Sequence, residues 1–159
     1  MSIETRPARR EDLARVNELR RMVNDVHVNG RSDIFKPGFG QALSDHLYEA
    51  FDSDQSDVIV AALDGTIAGF ATVQYIRKPE TPYTLPRDFY RVEEFGVDAA
   101  FRRRGVATAL VDYIRRDARA KGFPRVELDA WAFNEGAIAF YKGAGFNPFR
   151  VYFEMDTED

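Results

Sequence analysis

Three consecutive arginines stand directly ahead of a glycine: Arg102, Arg103 and Arg104 precede Gly105, and Ala107 follows. The apolar residues from 106 onward recur with helical spacing, so the small residues fall where a helix begins. A helix N-terminus presents unpaired N–H groups and a partial positive charge, which together form an anion site. The run therefore predicts a phosphate site. A solvated arginine cluster at a strand-to-helix turn is the alternative.

The elements that must position this site form a βαβ unit. The stretch "FYRVEEFGV" ahead of the arginines is a predicted strand, and "RVELDAW" after the helix is another. The helix runs from about Arg104 to Lys121, and Gly122 stops it. Its predicted core face consists of Val106, Leu110, Ile114 and Ala118. We expect the two strands to lie parallel, joined through the helix.

The remaining elements are predicted from periodicity and turn residues. A first strand, "SIETRPA", precedes a helix, a loop over residues 27–40 and a second helix. The Asp64-Gly65 turn between two β-rich runs predicts an antiparallel hairpin. A short helix, "NEGAIAFYKGAGF", and a closing strand, "FRVYFEM", end the chain. The order β-α-α-β-β-β-α-β-α-β predicts an α/β (α+β) fold with a mixed, mostly antiparallel sheet flanked by helices.

Composition narrows the class of protein. At 159 residues and 45% hydrophobic content the chain is long enough for one domain, predicted over 1–159. The chain has no cysteine, which excludes a thiolate zinc site or a cysteine nucleophile, and we expect no metal. A net charge of −4 disfavours nucleic acid as a partner. Without a long apolar run or a signal segment, no membrane partner and a cytoplasmic location are expected.

Two motifs, one within this βαβ unit and one after it, resemble those of one family. Arg102-x-x-Gly105-x-Ala107, after a strand ending in "EEFGVDAAF", resembles the acyl-CoA pyrophosphate motif of the GNAT family of N-acetyltransferases. The downstream "NEGAIAFYKGAGF" resembles the second motif of that family. The predicted order of elements agrees along nearly the whole chain. The resemblance implies acetyl-CoA as cosubstrate and direct acetyl transfer to an amine.

The resemblance also implies which residues bind coenzyme A. The main chain around Phe95, Gly96 and Val97 corresponds to the stretch that meets the thioester carbonyl and the pantetheine. Asn134 resembles the family's pantetheine contact, although asparagine is equally an ordinary helix N-cap. The pyrophosphate cradle corresponds to Arg102, Arg103, Arg104, Gly105, Val106, Ala107 and Thr108.

Three side chains are candidates for the chemistry. Tyr141 matches the family tyrosine near the coenzyme sulfur and is the predicted general acid, with core packing as its structural alternative. Glu93 and Glu94 are candidates for the base that deprotonates the amine. Because successive strand residues point to opposite faces, we expect only one of them to face the acceptor. The resemblance places Glu93 where several family members carry a carboxylate that removes the amine proton, so Glu93 is preferred, and a solvated or arginine-paired carboxylate is the alternative for either residue. His27 and His46 lie outside both motifs and receive no role.

The acceptor is not fixed by these residues. Glu93, Glu94 and Asp129 favour a small cationic amine if they line the cleft, and a peptide N-terminus or lysine is the alternative. A non-enzymatic coenzyme A binding module and an RNA-binding protein that uses the arginines are rival classes. A second subunit could cover the edge of the closing strand, which makes a homodimer a candidate partner.

Overall fold

The computed structural model of the chain describes residues 2–158. The chain falls into two compact units, Met1–Asp129 and Ala130–Asp159. The first unit contains β1 (Ile3–Pro7), α1 (Leu13–Gly30), α2 (Gln41–Asp52), β2 (Ser56–Leu63), β3 (Thr66–Lys78), β4 (Arg87–Val97), α3 (Val106–Ala120) and β5 (Val126–Glu127). The second unit contains α4 (Glu135–Gly143).

The five strands form one sheet in the order β1-β2-β3-β4-β5. The first four strands are antiparallel, whereas β5 lies parallel to β4 after the α3 crossover. At the β2–β3 turn Asp64 has φ 50° and Gly65 has φ 86°. A type I′ turn requires positive φ at both central residues, so the predicted hairpin is confirmed. The predicted parallel βαβ unit and the mixed-sheet fold class are confirmed as well.

Helices α1 and α2 cover one face of the sheet. The stripe of α1 that meets the strands consists of Leu13, Val16 and Leu19, which are spaced three residues apart and are almost completely buried. Leu47 of α2 is buried in the same cluster. The strands contribute the side chains of Val58, Val60 and Phe70 to it. This packing fixes both helices on the sheet.

On the opposite face α3 packs against the sheet through its predicted core face. Val106, Leu110, Ile114 and Ala118 are all buried there, as the helical spacing predicts. The hydroxyl of the buried Tyr90 on β4 donates a 2.8 Å hydrogen bond to Asp117 of α3, which fixes the helix against the strand. Gly122, with φ 82°, follows the end of α3 and confirms the predicted glycine stop.

Two predicted boundaries and one predicted strand are wrong. The loop predicted over residues 27–40 begins only at 31, because α1 continues to Gly30 and Arg31 donates its backbone N–H to the His27 carbonyl. The predicted strand "RVELDAW" is reduced to Val126–Glu127, where its pairing with β4 ends. The closing strand predicted over residues 149–155 is not formed. Alternating apolar residues favour a strand, but a strand also needs a hydrogen-bonded neighbour, and the sheet over residues 2–158 consists of β1 to β5.

Candidate active site

The start of α3 has the backbone geometry of an anion site. The first hydrogen bond at this end runs from Ala109 N–H to the Gly105 carbonyl at 3.0 Å. The N–H groups of Val106, Ala107 and Thr108 therefore precede the first intrahelical bond. The first turn contains no acidic side chain that would compete with an anion. This geometry fits the predicted phosphate cradle.

The turn ahead of α3 contains two left-handed residues. Arg103 has φ 63° and Gly105 has φ 85°. A Cβ built on Gly105 would meet only the Ile3 Cδ1 atom, at an ordinary 3.6 Å, so backbone conformation and not crowding favours glycine here. Any other residue at this position would add strain of about 1–2 kcal/mol. Substitution of Gly105 would therefore change stability together with any effect on binding.

The three arginines are exposed, and the turn that precedes them is tied to α1. Asp98 accepts a 3.0 Å hydrogen bond from the Ala100 N–H and a 2.7 Å hydrogen bond from the Arg15 guanidinium. Both hydrogen bonds lower the pKa of the Asp98 carboxyl, and the bond from the Ala100 backbone has the larger effect. Arg15 also donates to the Ile67 carbonyl at 3.1 Å. The Asp98–Arg15 pair thus fixes the path of the chain from β4 to Arg102.

A β-bulge at Glu93 changes which way the two candidate carboxylates point. Thr72 of β3 pairs with Glu94, and the next residue, Val73, pairs with Val92, so Glu93 is an extra residue in β4. Val92 belongs to the core on the α3 face. Both glutamates then have partners on the α1 and α2 face. The expectation that they occupy opposite faces is wrong, because a bulge interrupts the alternation of a strand.

Glu94 is bound to a buried arginine. Arg20 of α1, whose side chain is 3% exposed, donates from Nε to both Glu94 carboxylate oxygens, at 3.0 and 3.2 Å. Thr72 Oγ1 lies 3.4 Å from the same carboxylate. Arg20 also donates to the Asn17 side chain at 2.8 Å and to the Leu43 carbonyl at 2.5 Å. Glu94 therefore neutralises a buried charge, which is a structural task.

Glu93 lies beside a histidine that the motifs did not indicate. The His46 Nε2 atom of α2 is 3.2 Å from Glu93 Oε1. The Glu93 side chain is 27% exposed and that of His46 is 46% exposed, so both can be reached from solvent. His46 lies outside both motifs, and its contact with Glu93 could not be predicted from sequence because it depends on how α2 packs on the sheet. The two residues are 47 positions apart in sequence.

The last residues of β4 present main-chain groups at a sheet edge. The Asp98 N–H donates to the Ala68 carbonyl at 2.8 Å, so Gly96, two residues earlier, also bonds to β3. The N–H groups of Phe95 and Val97 consequently face away from β3. On that side β5 pairs only as far as Arg91. This edge fits the predicted main-chain contacts with the thioester and the pantetheine.

Gly96 allows α1 to approach this strand closely. A Cβ at this position would lie 2.6 Å from Val23 of α1 and 2.9 Å from the Phe70 ring. Neither distance is compatible with a real side chain, so glycine is required by packing. The main chain of β4 is consequently held against α1 beside the two glutamates.

The loop after α1 contacts the last turns of that helix, including His27. The His27 ring stacks on Phe35 with a centroid distance of 5.0 Å. Burial lowers the pKa of His27, and the charges of Glu94 and Asp129 oppose that shift. Asp129 itself lies 3.6 Å from the Arg91 guanidinium and is exposed. The loop is tied to α1 by a 2.9 Å hydrogen bond from Asn24 to the Gly38 carbonyl.

The second unit contains the two remaining candidates. Asn134 caps α4, because its side chain accepts a 3.1 Å hydrogen bond from the Ala137 N–H. This is the N-cap role that its residue type favours. The Tyr141 ring makes edge contacts with Phe140 and Phe146, at centroid distances of 5.7 and 5.8 Å. The roles of both residues toward coenzyme A remain predictions.

The part of the chain that the structure describes, residues 2–158, contains neither a cluster of metal ligands nor a helix able to span a membrane. No group of three or more histidine, aspartate or glutamate side chains in that range could hold a metal ion. None of the helices described there has both the length and the apolar content needed to cross a membrane.

Comparison with known proteins identifies the family. The family model described as Acetyltransferase (GNAT) family matches residues 27–146, which is more than half of the chain. An uncharacterized N-acetyltransferase of Methanocaldococcus jannaschii is 34% identical over 95 residues, which are 58% of this chain and 40% of that protein. The match therefore spans less than half of that relative's length. The chain belongs to the GNAT acetyltransferase family.

Solved structures share the fold. A mutant of the BH1408 protein from Bacillus halodurans has a TM-score of 0.91 at 24% identity, over 99% of this chain and 100% of that one. The aminoglycoside N-acetyltransferase AAC(6')-Iy in complex with CoA has a TM-score of 0.76 at 22% identity, over 98% of this chain and 95% of that one. These structures show that the chain shares their arrangement of helices and strands.

Proposed function

We propose that the chain transfers the acetyl group of acetyl-CoA directly to a primary amine. One observation carries the proposal. The bulged strand β4 presents a solvent-accessible carboxylate, Glu93, and main-chain N–H groups at its edge, and it leads directly into the arginine-flanked start of α3. A base and an anion site are thus connected by one short segment of chain.

Acetyl-CoA would supply an activated acetyl group and a phosphate-bearing handle. The N–H groups of residues 106–108 would receive the pyrophosphate, with Arg102, Arg103 and Arg104 adding positive charge. The Phe95 and Val97 N–H groups would receive the thioester carbonyl and the pantetheine. Donors held in fixed positions by the sheet would stabilise the negative charge that develops on the carbonyl oxygen.

The reaction requires proton transfers as well as binding. An ammonium acceptor must lose a proton before its nitrogen can attack, and Glu93 would accept that proton directly or through water. A carbon–nitrogen bond then forms and the carbon–sulfur bond breaks. The nitrogen loses a second proton and the departing thiolate takes one. One proton is thus released to solvent for each amide formed.

Tyr141 is the proposed donor of the proton to the departing thiolate. A phenol ordinarily keeps its proton at neutral pH and can therefore donate it. The half-buried position of the Tyr141 ring on α4 is compatible with this role and with packing. The tyrosine of the family's second motif is the reason for preferring the catalytic role.

We further propose that the acceptor is a small cationic amine. Glu93 and Asp129 carry negative charge on partly or largely exposed side chains, which would favour a cation. Similar folds are found in solved aminoglycoside acetyltransferases, one of them in complex with sisomicin. A peptide N-terminus or a lysine is the alternative acceptor, and it would need an open groove in place of a closed site.

Two experiments test this function. Calorimetry should show that the protein binds acetyl-CoA and that pantetheine, which lacks the pyrophosphate, binds more weakly. Mass spectrometry of reactions with polyamines, aminoglycosides and short lysine-containing peptides should show acetylation of the small amines. Acetylation of peptides alone would contradict the proposed acceptor class, and absence of acetyl-CoA binding would contradict the function.

A second copy of the chain is the proposed macromolecular partner. Five apolar side chains near the C-terminus are exposed: Phe149, Val151, Tyr152, Phe153 and Met155. Exposed apolar surface of this kind is stabilised when another chain covers it. Light scattering across a range of concentrations should detect a dimer, and a monomer at all concentrations would contradict the proposal. A cytoplasmic location stays a prediction.

A further inference from the structure

The Glu93 carboxylate and the His46 imidazole form a pair outside both family motifs. We infer that His46 is a positioning residue, which holds the Glu93 carboxylate in the orientation needed to accept the proton of the amine. The inference rests on the proposed function, since it assigns a partner to the proposed base. Its structural basis is the 3.2 Å distance from His46 Nε2 to Glu93 Oε1.

The contacts around the pair leave this task to His46. Glu94 is bound to Arg20, so it is not available as the partner or as the base. Within residues 2–158, the side-chain partner of Glu93 is His46. Glu93 is also the extra residue of the bulge, and its backbone has no direct partner in the β3 register. A carboxylate at such a position needs a side-chain contact to fix its direction.

The helix that carries His46 is itself fixed. Asn17 of α1 donates to the Ser44 hydroxyl at 2.9 Å, and Arg20 donates to the Leu43 carbonyl at 2.5 Å. Leu47, the residue after His46, is completely buried. These contacts hold α2 on both sides of His46, so the imidazole is presented to Glu93 by a fixed element.

The pair can work in one tautomer. With the proton on Nε2, the imidazole donates to Glu93 Oε1 and leaves the other oxygen for the amine. A hydrogen bond to the charged form of a carboxylate favours that form, which is the form that accepts a proton. Charged residues on the elements around the pair include Asp45 and Glu49 of α2, the Arg20–Glu94 ion pair between α1 and β4, and Arg91 of β4, which lies 3.6 Å from Asp129.

Kinetics of three variants test the inference. His46→Ala should lower kcat by about tenfold, part of the ~10²–10⁴ that a general base contributes, and should leave the KM for acetyl-CoA unchanged. Its acid limb of activity should shift to higher pH, because the carboxylate has lost its donor. His46→Gln should restore most of the activity, since its side-chain amide can donate to Glu93. Glu49→Ala, one turn away on α2, is the matched control.

A wild-type pH profile in His46→Ala would overturn the inference, as would equal losses in His46→Ala and His46→Gln with both variants folded. A second readout does not depend on turnover. The chain has two histidines, so their ring protons can be followed separately by NMR. In Glu93→Gln the ring-proton chemical shifts of His46 should change from those of the unaltered protein, while those of His27 serve as the reference.

The NMR result also separates this inference from the proposed function. If no amine is acetylated but the His46 signal responds to Glu93→Gln, the pair exists and the proposed function fails. If amines are acetylated and the His46 signal does not respond, the pairing is overturned while the acetyltransferase function stands.

Discussion

Glu93 and Glu94 are consecutive residues of β4, yet both carboxylates meet partners on the same face of the sheet. Glu94 lies 3.0 Å from Arg20 of α1, and Glu93 lies 3.2 Å from His46 of α2. The bulge between Val92 and Glu94 brings them to one side. Two adjacent carboxylates thus acquire different tasks, because one neutralises a buried cation and the other is held by an imidazole.

Replacement of the two carboxylates should separate these tasks. Glu93→Gln should lower kcat by about 10²–10⁴ near neutral pH and leave the melting temperature almost unchanged. The loss should be smaller at high pH, where more of the amine is already neutral. The measurement is kcat against pH together with thermal unfolding.

Glu94→Gln is the matched comparison. It leaves the buried Arg20 charge without its counter-ion and should lower the free energy of unfolding by about 3 kcal/mol. If Glu94→Gln is stable and shows the pH-dependent loss of kcat, while Glu93→Gln behaves as the unaltered protein, the assignment of the base is reversed.

The anion site can be tested by adding a negative charge. Thr108 is exposed in the first turn of α3, which contains no acidic residue. Thr108→Glu should stabilise the helix by about 0.3–1 kcal/mol through its interaction with the helix dipole. The same charge should repel the pyrophosphate and weaken acetyl-CoA binding about tenfold, an effect reduced by salt.

The control places the same charge at another helix start. Ala42→Glu adds a carboxylate to the first turn of α2, which also lacks an acidic residue. It should leave the acetyl-CoA affinity unchanged in calorimetry. Equal affinities for the Thr108 and Ala42 variants would show that the pyrophosphate does not bind at the start of α3.

Tyr141→Phe tests the proposed general acid. The substitution keeps the ring and its contacts with Phe140 and Phe146 and removes only the hydroxyl. The melting temperature and acetyl-CoA affinity should therefore be nearly unchanged, while kcat falls by about 10²–10⁴. A variant with unchanged kcat would reduce Tyr141 to a packing residue.

Stability should fall in acid because of one buried carboxylate. Asp12 accepts hydrogen bonds at 2.7 Å from the Arg6 guanidinium and from the Arg9 N–H. The hydrogen bond from Arg6 is the main reason that the pKa of the Asp12 carboxyl lies below its ordinary value of 3.8. A lowered pKa adds stability above pH 3.8, and that stability is lost as pH falls through the lowered value.

Asp12→Asn should therefore lower the free energy of unfolding by about 2 kcal/mol at pH 7, and by progressively less below about pH 3.8. Urea unfolding at several pH values measures this difference. Asp33→Asn is the control, since the Asp33 side chain is exposed and its ion pair with Arg31 adds little. A pH-independent effect of Asp12→Asn would contradict the assignment.

The sequence predicts those parts of the fold that depend on local patterns. The Asp64-Gly65 turn and the apolar face of α3 are local, and both are confirmed. The bulge at Glu93 could not be predicted, because it depends on the register between β4 and β3. The contact of His46 with Glu93 likewise depends on tertiary packing.

The segment 149–155 shows the opposite case. Its alternating residues satisfy the local pattern of a strand, but within residues 2–158 this segment does not pair with any strand of the sheet. Among the candidate site residues, the family motifs indicated the positions on β4 and α3. They gave no indication of Arg20, whose burial and contact with Glu94 arise only from packing.

The proposed reaction joins an acetyl group from acetyl-CoA to an amine. Its most direct test is the release of free thiol from acetyl-CoA, measured together with the amount of N-acetylated product for a panel of amines. We expect amine-dependent thiol release with one molecule of amide formed for each thiol. Tight binding of acetyl-CoA with no amine-dependent thiol release for any acceptor would contradict it and would favour a coenzyme A binding module.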